Sequence, residues 1–212
     1  MAYYSSTGSK LPSVTTLIDR YINKLFLAKW ARNLMRDYSL DFEKESRIAT
    51  DIGTMAHEMV ELDLLGLPLK LYPKISEDLV KHALIAYSAW EKWKKNHKID
   101  KLLGTEVKLV SKKHGFGGTI DIPAVINSKN TLLDLKTSKS ISIEYQIQVA
   151  AYGRLWNENN PDTLIERYEI LRLDKYSGEY EYIGWDELEK PWNIFKHFLE
   201  IDKLLNELGY QF

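Results

Sequence analysis

The sequence predicts an α+β fold in which a mixed, mainly antiparallel sheet is flanked by helices. Apolar residues recur every three or four positions through the first hundred residues, whereas from Leu103 onward they alternate with polar ones. A helical pattern from about Ile143 to Glu158 then separates three early strands from two later ones. We therefore expect a helical N-terminal part followed by a sheet with helices on its faces.

Three helices are predicted in the N-terminal part. Ser13 or Thr15 can cap the first one, because either hydroxyl can accept a hydrogen bond from a backbone N–H of the first turn. Apolar residues at helical spacing carry this helix to about Asp37. The second and third helices are predicted over residues 42–65 and 76–96, and the Gly66-Leu67-Pro68 breaker ends the second.

The sheet follows from residue alternation. Strands are predicted at 103–111, 116–126 and 131–137 as an antiparallel meander, then at 164–173 and 179–184, with a last helix at 186–208. No linker or repeat interrupts the chain, so we expect one domain over residues 1–212. Its parts are a helical N-terminal part (1–100), a sheet with its helix (101–185) and a C-terminal helix (186–212).

The composition excludes several classes of site. The chain has 212 residues, of which 44% are hydrophobic, and a net charge of -1, as is typical of a globular protein without a general affinity for nucleic acid. It has no cysteine, which excludes disulfides, thiol nucleophiles, iron–sulfur clusters and cysteine-bound zinc. Because no stretch approaches the roughly 20 apolar residues of a membrane span, we expect a cytoplasmic protein without membrane contact.

Charged residues in the first three strands form the candidate site. If each connecting loop holds four residues, Glu106 lies opposite Asp121, and Asp121 lies opposite Lys136. Asp134 shares the face of Lys136 because side chains alternate along a strand. Three carboxylates and one ammonium then converge, and carboxylates on neighbouring strands suit Mg²⁺ or Mn²⁺.

The apolar neighbours of these charges support that placement. Ile120, Ile122, Leu133 and Leu135 would all face the opposite, core side of the sheet. The alternative is an ordinary exposed ion pair on an edge strand, which contributes little to stability. A loop longer or shorter by one residue would also place the acids on opposite faces.

The order of these motifs resembles the PD-(D/E)xK nuclease superfamily, in particular its RecB-like exonuclease branch with the mitochondrial genome maintenance exonuclease and its phage relatives. The resemblance covers roughly residues 50 to 156, and the LPSVTTLI opening and the runs LLDLKTS and QVAAYG add to it. It implies a restriction-endonuclease-like αβββαβ core. Asp134 stands where Glu is commonest, and the absence of cysteine separates the chain from the iron–sulfur members. The matching motifs are Gly53-Thr54-x-x-His57, Glu106, Gly118-Thr119-Ile120-Asp121, Asp134-Leu135-Lys136-Thr137-Ser138 and Gln148-x-x-x-Tyr152.

The resemblance implies a role for each matched residue. Asp121 and Asp134, with the Leu135 carbonyl, would hold Mg²⁺ or Mn²⁺, and Glu106 would be a further ligand. Lys136 would orient or deprotonate the attacking water. His57 would be a further metal ligand; alternatively, it is a core histidine whose ring makes an ordinary hydrogen bond. Glu61 lies on the same face of the helix and is a weaker candidate for a metal ligand. Gln148 and Tyr152 would take part in catalysis, with Gln148 also in contact with the DNA; the alternative for both is packing in the core. Thr137 and Ser138 would bind the substrate; their alternative is to cap the segment that follows.

The expected activity is metal-dependent hydrolysis of DNA phosphodiester bonds, as an exonuclease on single-stranded ends. A structure-specific or nicking endonuclease is the first alternative, and a noncatalytic nucleic-acid-binding subunit on the same scaffold is the second. The expected partners are DNA with a free single-stranded end and proteins of replication, repair or recombination, in a bacterial or phage-infected cytoplasm. Lys112, Lys113 and His114 could contact a phosphate backbone or form a solvated turn, and Trp90, Trp93 and Trp192 are expected in the core.

Overall fold

The computed structural model describes residues 2–22, 42–70 and 72–210. It confirms the α+β class with a mixed, mostly antiparallel sheet. None of the described helices is long and apolar enough to cross a bilayer. The helices are α1 (Val14–Tyr21), α2 (Phe42–Leu64), α3 (Glu77–Asn96), α4 (Ile143–Asn159) and α5 (Glu189–Glu207). The strands are β1 (Tyr3–Tyr4), β2 (Lys10–Leu11), β3 (Ile99–Leu102), β4 (Val107–Ser111), β5 (Phe116–Ile120), β6 (Ile122–Ile126), β7 (Lys129–Lys136), β8 (Arg167–Leu173) and β9 (Tyr180–Trp185).

Helices α1 to α4 begin within one residue of the predicted positions, but α1 is short, and α5 begins at Glu189, three residues after its predicted start. Ser13 caps α1, and its hydroxyl accepts a 3.0 Å hydrogen bond from the backbone N–H of Thr16. The predicted extension to Asp37 is wrong at Ile22, whose backbone is extended, and the rest of it falls on residues 23–41, outside the described residues. Helices α2, α3 and α4 agree with the prediction to within one residue at each end.

The central sheet has five strands in the order β3-β6-β7-β8-β9, and only the β7–β8 pair in it is parallel. Helix α4 makes the crossover between those two strands, as parallel pairing requires. The predicted meander is wrong in one respect: β4 and β5 form a separate two-stranded sheet, because the chain bends at Asp121. Strands β1, β2 and β3 were not predicted, since none of them exceeds four residues.

The bend at Asp121 also changes which core its neighbours join. Helices α1, α4 and α5 pack with Ile120 and Leu132 on one side, and α2 and α3 pack with Ile122 and Leu133 on the other. The prediction that Ile120 and Ile122 share a core face is therefore wrong. Trp90, Trp93 and Trp192 are buried, as expected.

One of the two predicted strand registers is confirmed, and the other is wrong. The β4–β5 ladder pairs Ser111 with Phe116, as predicted. The β6–β7 ladder instead pairs Ile126 with Lys129 across a two-residue turn, in which Asn127 and Ser128 have φ of 48° and 66°. The predicted four-residue loop is wrong, and the register moves by two positions, so Asp121, just before this ladder, aligns with Asp134 and not with Lys136 as predicted. A shift of two keeps every side chain on its face.

Candidate active site

A cleft of about 670 Å³ opens between α2, the bend after β5 and the end of β7. His57 and Glu61 line it from the helix, and Glu106 and Asp121 line it from the sheet side. Within the described part of the chain, His57, Glu106 and Asp121 each offer a ligand atom within 4.8 Å of the others. Three residues that are far apart in sequence therefore converge.

Asp121 is held by the strand beside it. Its Oδ2 accepts a 2.8 Å hydrogen bond from the backbone N–H of Leu135. The same oxygen lies 3.6 Å from Nδ1 of His57. The bend between β5 and β6 thus directs this carboxylate toward β7 and toward helix α2.

Asp134 and Lys136 form an ion pair at the carboxyl end of β7. Asp134 is fully buried, and its two carboxylate oxygens make no well-aligned hydrogen bond to any described group. Lys136 also lies over the ring of Tyr145, with Nζ 4.9 Å from the ring centroid. This lysine is therefore fixed between a buried anion and an aromatic face.

Helix α2 approaches β7 closely enough to bring His57 into the site. The reason is Gly53, one turn earlier, where an added Cβ would lie 2.9 Å from Oγ1 of Thr137. A glycine at this position removes that steric limit. Gly53 of the sequence motif is therefore a packing residue that sets the height of His57 above the sheet.

Glu106 occupies an unusual backbone conformation. Its φ is 47°, in the left-handed region that a residue with a side chain rarely adopts. Its backbone N–H donates a 2.9 Å hydrogen bond to the carbonyl oxygen of Asp121, which keeps the two residues opposite each other as predicted. Strand β4 consequently begins only at Val107, and the predicted strand over residues 103–106 is wrong.

The electrostatics of the site reflect an excess of negative charge. Burial and the nearby Asp121, Glu61 and Asp134 carboxylates raise the pKa of Glu106 to about 7. Burial, opposed by Lys136 and reinforced by Asp121, raises the pKa of Asp134 to about 6, and burial also raises the pKa of Asp121.

His57 and Lys136 respond in opposite directions. Burial and the Lys136 charge lower the pKa of His57 to about 4, so its imidazole is neutral at pH 7. Burial lowers the pKa of Lys136, but the Asp134 and Asp121 charges outweigh it, so the net shift is upward. Burial thus raises the pKa of Asp134, whereas the charges of the two carboxylates raise the pKa of the Lys136 ammonium that lies between them.

The remaining predicted residues divide into two groups. Tyr152 and Thr137 line the cleft. Gln148 donates a 2.9 Å hydrogen bond from Nε2 to the Tyr152 hydroxyl, so it stands behind that ring. The Ser138 hydroxyl donates to the carbonyl oxygen of Ser140, and Ser138 does not line the cleft.

Several cleft residues carry no signal in the sequence. Tyr3, from the short strand β1, lines the cleft and forms a 2.8 Å hydroxyl–hydroxyl hydrogen bond with Thr119. Tyr3 lies over Gly117, where an added Cβ would come within 2.3 Å of its ring. Only the paired glycines before Asp121 hinted that something packs closely on this strand.

The residues present suit a hard divalent cation. A fully buried carboxylate paired with Lys136, a neutral imidazole and two further carboxylates make a set of oxygen and nitrogen donors with surplus negative charge. His57, Glu106 and Asp121 form the compact donor set, and Asp134 lies beside it, close enough for its charge to act on both Asp121 and His57. The Leu135 backbone already contacts two of these side chains: its N–H donates to Asp121, and His57 is hydrogen-bonded to the same peptide segment.

No family model and no curated protein matches this chain. Among solved structures, a protein named as an exonuclease from Eubacterium rectale is 15% identical, with 90% of this chain and 71% of that chain covered and a TM-score of 0.43. LHK-Exo in complex with dAMP is 11% identical, with 84% and 91% covered and a TM-score of 0.39. The alkaline exonuclease LHK-Exo from Laribacter hongkongensis, in another structure, is 15% identical, with 77% and 91% covered and a TM-score of 0.35. These similarities are too weak to support a conclusion on function, which rests on the geometry of the site.

Proposed function

We propose that this protein is a metal-dependent nuclease that hydrolyses DNA phosphodiester bonds within a single domain. The observation that carries the proposal is the buried Asp134 carboxylate, paired with Lys136 and placed beside Asp121 at one end of β7. Lys136 is the cation that compensates the buried Asp134 carboxylate, but its charge also acts on Asp121, so the site keeps a surplus of negative charge that a metal ion would offset. Such an arrangement serves chemistry better than stability.

The proposed metal ligands are His57, Glu106, Asp121 and Asp134, with the Leu135 carbonyl as a backbone candidate. A bound Mg²⁺ or Mn²⁺ would supply Lewis-acid polarisation of the scissile phosphate and activation of a water nucleophile. The protein prepares for it by holding His57 neutral, since burial and Lys136 lower its pKa to about 4. Asp121 is oriented in advance by the Leu135 N–H.

Lys136 acts in this proposal as a charged donor. The Asp134 and Asp121 charges raise its pKa, although burial opposes them, so the ammonium keeps its proton at neutral pH. It can donate hydrogen bonds to the attacking water and to a phosphate oxygen, and it offsets the negative charge that develops on phosphorus. Tyr145 holds it in place from the other side.

The lining of the cleft favours a single strand as the substrate. The described lining residues include the hydroxyls of Ser13, Thr50 and Thr119 and no lysine or arginine. A rigid duplex would need a broad basic track to offset its backbone charges, whereas a flexible strand can deliver one phosphate at a time. We therefore propose an exonuclease that acts on free single-stranded ends.

The motif order adds support from resemblance. The Asp121, Asp134-x-Lys136 and Gln148-x-x-x-Tyr152 motifs are similar to those of the RecB-like exonuclease branch, with Gln148 holding Tyr152 at the cleft wall. Thr137 is proposed to contact the substrate from the strand end, where it lines the cleft. A role in DNA repair or recombination, including that of a phage, is consistent with such an enzyme.

The deciding experiment compares end-labelled linear single strands, circular single strands and blunt duplexes with Mg²⁺, Mn²⁺, Ca²⁺ or EDTA. We expect cutting of the linear strand with Mg²⁺ or Mn²⁺, little with Ca²⁺ and none with EDTA. Rapid cutting of circles would establish the endonuclease alternative instead. Binding without cutting under every condition would establish the noncatalytic alternative.

A further inference from the structure

The loops that follow strands β7 and β8 begin at the same end of the central sheet. Strands β7 and β8 are parallel, and their last pair is Lys136 with Arg172. Lys139 lies three residues beyond the end of that ladder on one chain segment, and Lys175 lies three residues beyond it on the other. The carboxyl edge of parallel strands is where ligands commonly bind, and here it also carries the Asp134–Lys136 pair.

Lys175 is buried in a way that lysines seldom are. Only 7% of the residue is exposed, and no carboxylate lies within ion-pair distance of its ammonium among the residues that the structure describes. The adjacent Asp174 is already engaged: its carboxylate accepts from the backbone N–H groups of Tyr176 and Ser177 and pairs with Arg172. Among the described residues the Lys175 ammonium therefore has no ion-pair partner: it lies 6.0 Å from the centroid of the Tyr176 ring, and the Asp174 charge acts on it without a direct ion pair.

Lys139 brings a second cation to the same place. Burial and the Lys139 charge lower the pKa of Lys175, so the two ammonium groups repel each other. Arg172 holds the loops together, because one of its Nη1 hydrogen bonds reaches the Ser138 carbonyl at 3.5 Å and another reaches Asp174. Two neighbouring lysines, neither in an ion pair with a described residue, suit an anionic ligand.

We propose that Lys139 and Lys175 together bind a backbone phosphate of the nucleic-acid strand, next to the phosphate that is cleaved at Asp134 and Lys136. This inference rests on the proposed function and extends it by assigning a second phosphate subsite at the edge of the sheet. Two lysines suit such a group because each acts as a compact point charge that does not read base identity.

The test measures binding of a fluorescent oligothymidylate to the full chain, with Ca²⁺ present, over a series of salt concentrations. Each phosphate contact contributes about 0.7 to the slope of log affinity against log salt for single strands. Lys139→Met and Lys175→Met should each weaken binding severalfold and make the slope shallower by up to about 0.7, because the two lysines share one phosphate. Lys175→Arg should keep the slope of the unmodified chain.

The matched control is Lys95→Met, which removes an exposed lysine in the last turn of α3, close to the opposite edge of the sheet. Its slope should not change. Slopes in Lys139→Met equal to those in Lys95→Met would overturn the inference, and this exposed position avoids any doubt over folding. Failure of the unmodified chain to bind the oligonucleotide would overturn it as well, whereas normal binding without Mg²⁺-dependent cleavage would refute the nuclease proposal alone.

Discussion

The backbone N–H of Leu135 is hydrogen-bonded to Oδ2 of Asp121 at 2.8 Å, and this bond ties the bend after β5 to the strand that carries Asp134. The same oxygen lies 3.6 Å from His57 Nδ1. One carboxylate therefore connects two strands and a helix. The site depends on these contacts, and each of its parts can be tested separately.

The Asp134–Lys136 pair should be catalytic and energetically coupled. We expect Asp134→Asn and Lys136→Met each to abolish cleavage. Without metal, Lys136→Met should also lower the free energy of unfolding by about 3 kcal/mol, because it leaves a buried carboxylate without its cation. In urea unfolding, the double variant should lose less free energy of unfolding than the two single variants lose in sum. Additive losses would show that the pair does not interact, and Lys95→Met is the control for lysine removal.

Glu106 should make the stability of the metal-free protein depend on pH. Its pKa is about 7 in the folded chain and 4.5 as its ordinary value, so the folded state holds the proton more tightly. Its contribution to stability is fully present below pH 4.5 and is lost as the pH rises through 7. We expect Glu106→Gln to gain stability relative to the unmodified chain across this window. Equal pH profiles in chemical unfolding would contradict the assignment.

His57 should be required for metal binding and should stay competent at mildly acidic pH. Because the pKa of His57 is about 4, protons compete with the cation at this residue only near pH 4 and below. The affinity for the metal should already fall below pH 7, because Glu106 takes up a proton there. Calorimetric titration with Mn²⁺ should show at least tenfold weaker binding in His57→Gln, a loss comparable to those caused by changes near metal ligands. His197→Gln is the control, since that side chain is exposed and paired with Glu200. Unchanged affinity in His57→Gln would remove it from the ligand set.

Gly53 should be required for the close approach of α2 to β7. Gly53→Ala should destabilise the protein, because the new Cβ would lie 2.9 Å from Thr137 Oγ1. In a Thr137→Ala background the same change should stabilise it by up to about 1 kcal/mol, the usual gain in helix propensity. Thermal unfolding of the four proteins measures this reversal of sign. A loss of equal size in both backgrounds would mean that another contact excludes the side chain.

Alternation along strands allowed the sequence to predict much of the site. Asp134 and Lys136 share a face because they are two residues apart, and Asp121 stays on that side because the error in the β6–β7 register is two positions. The error arose from the turn: Asn127 and Ser128 both adopt positive φ, and Asn-Ser is a weaker signal for such a turn than Asn-Gly. The helices α2, α3 and α4 followed from apolar spacing, which depends on neighbours in sequence.

The sequence by itself therefore determined the α+β class, the order of the longer helices and strands and the face on which the acids lie, since these depend on local periodicity. Only the tertiary structure decided that the chain bends at Asp121 into two sheets, that Tyr3 lies over Gly117, and that Gly53 admits helix α2 to the end of β7. The assembly of His57, Glu106 and Asp121 also depends on it. The reason is physical: contacts between distant segments are set by side-chain volume and burial, which a repeating pattern along one segment does not encode.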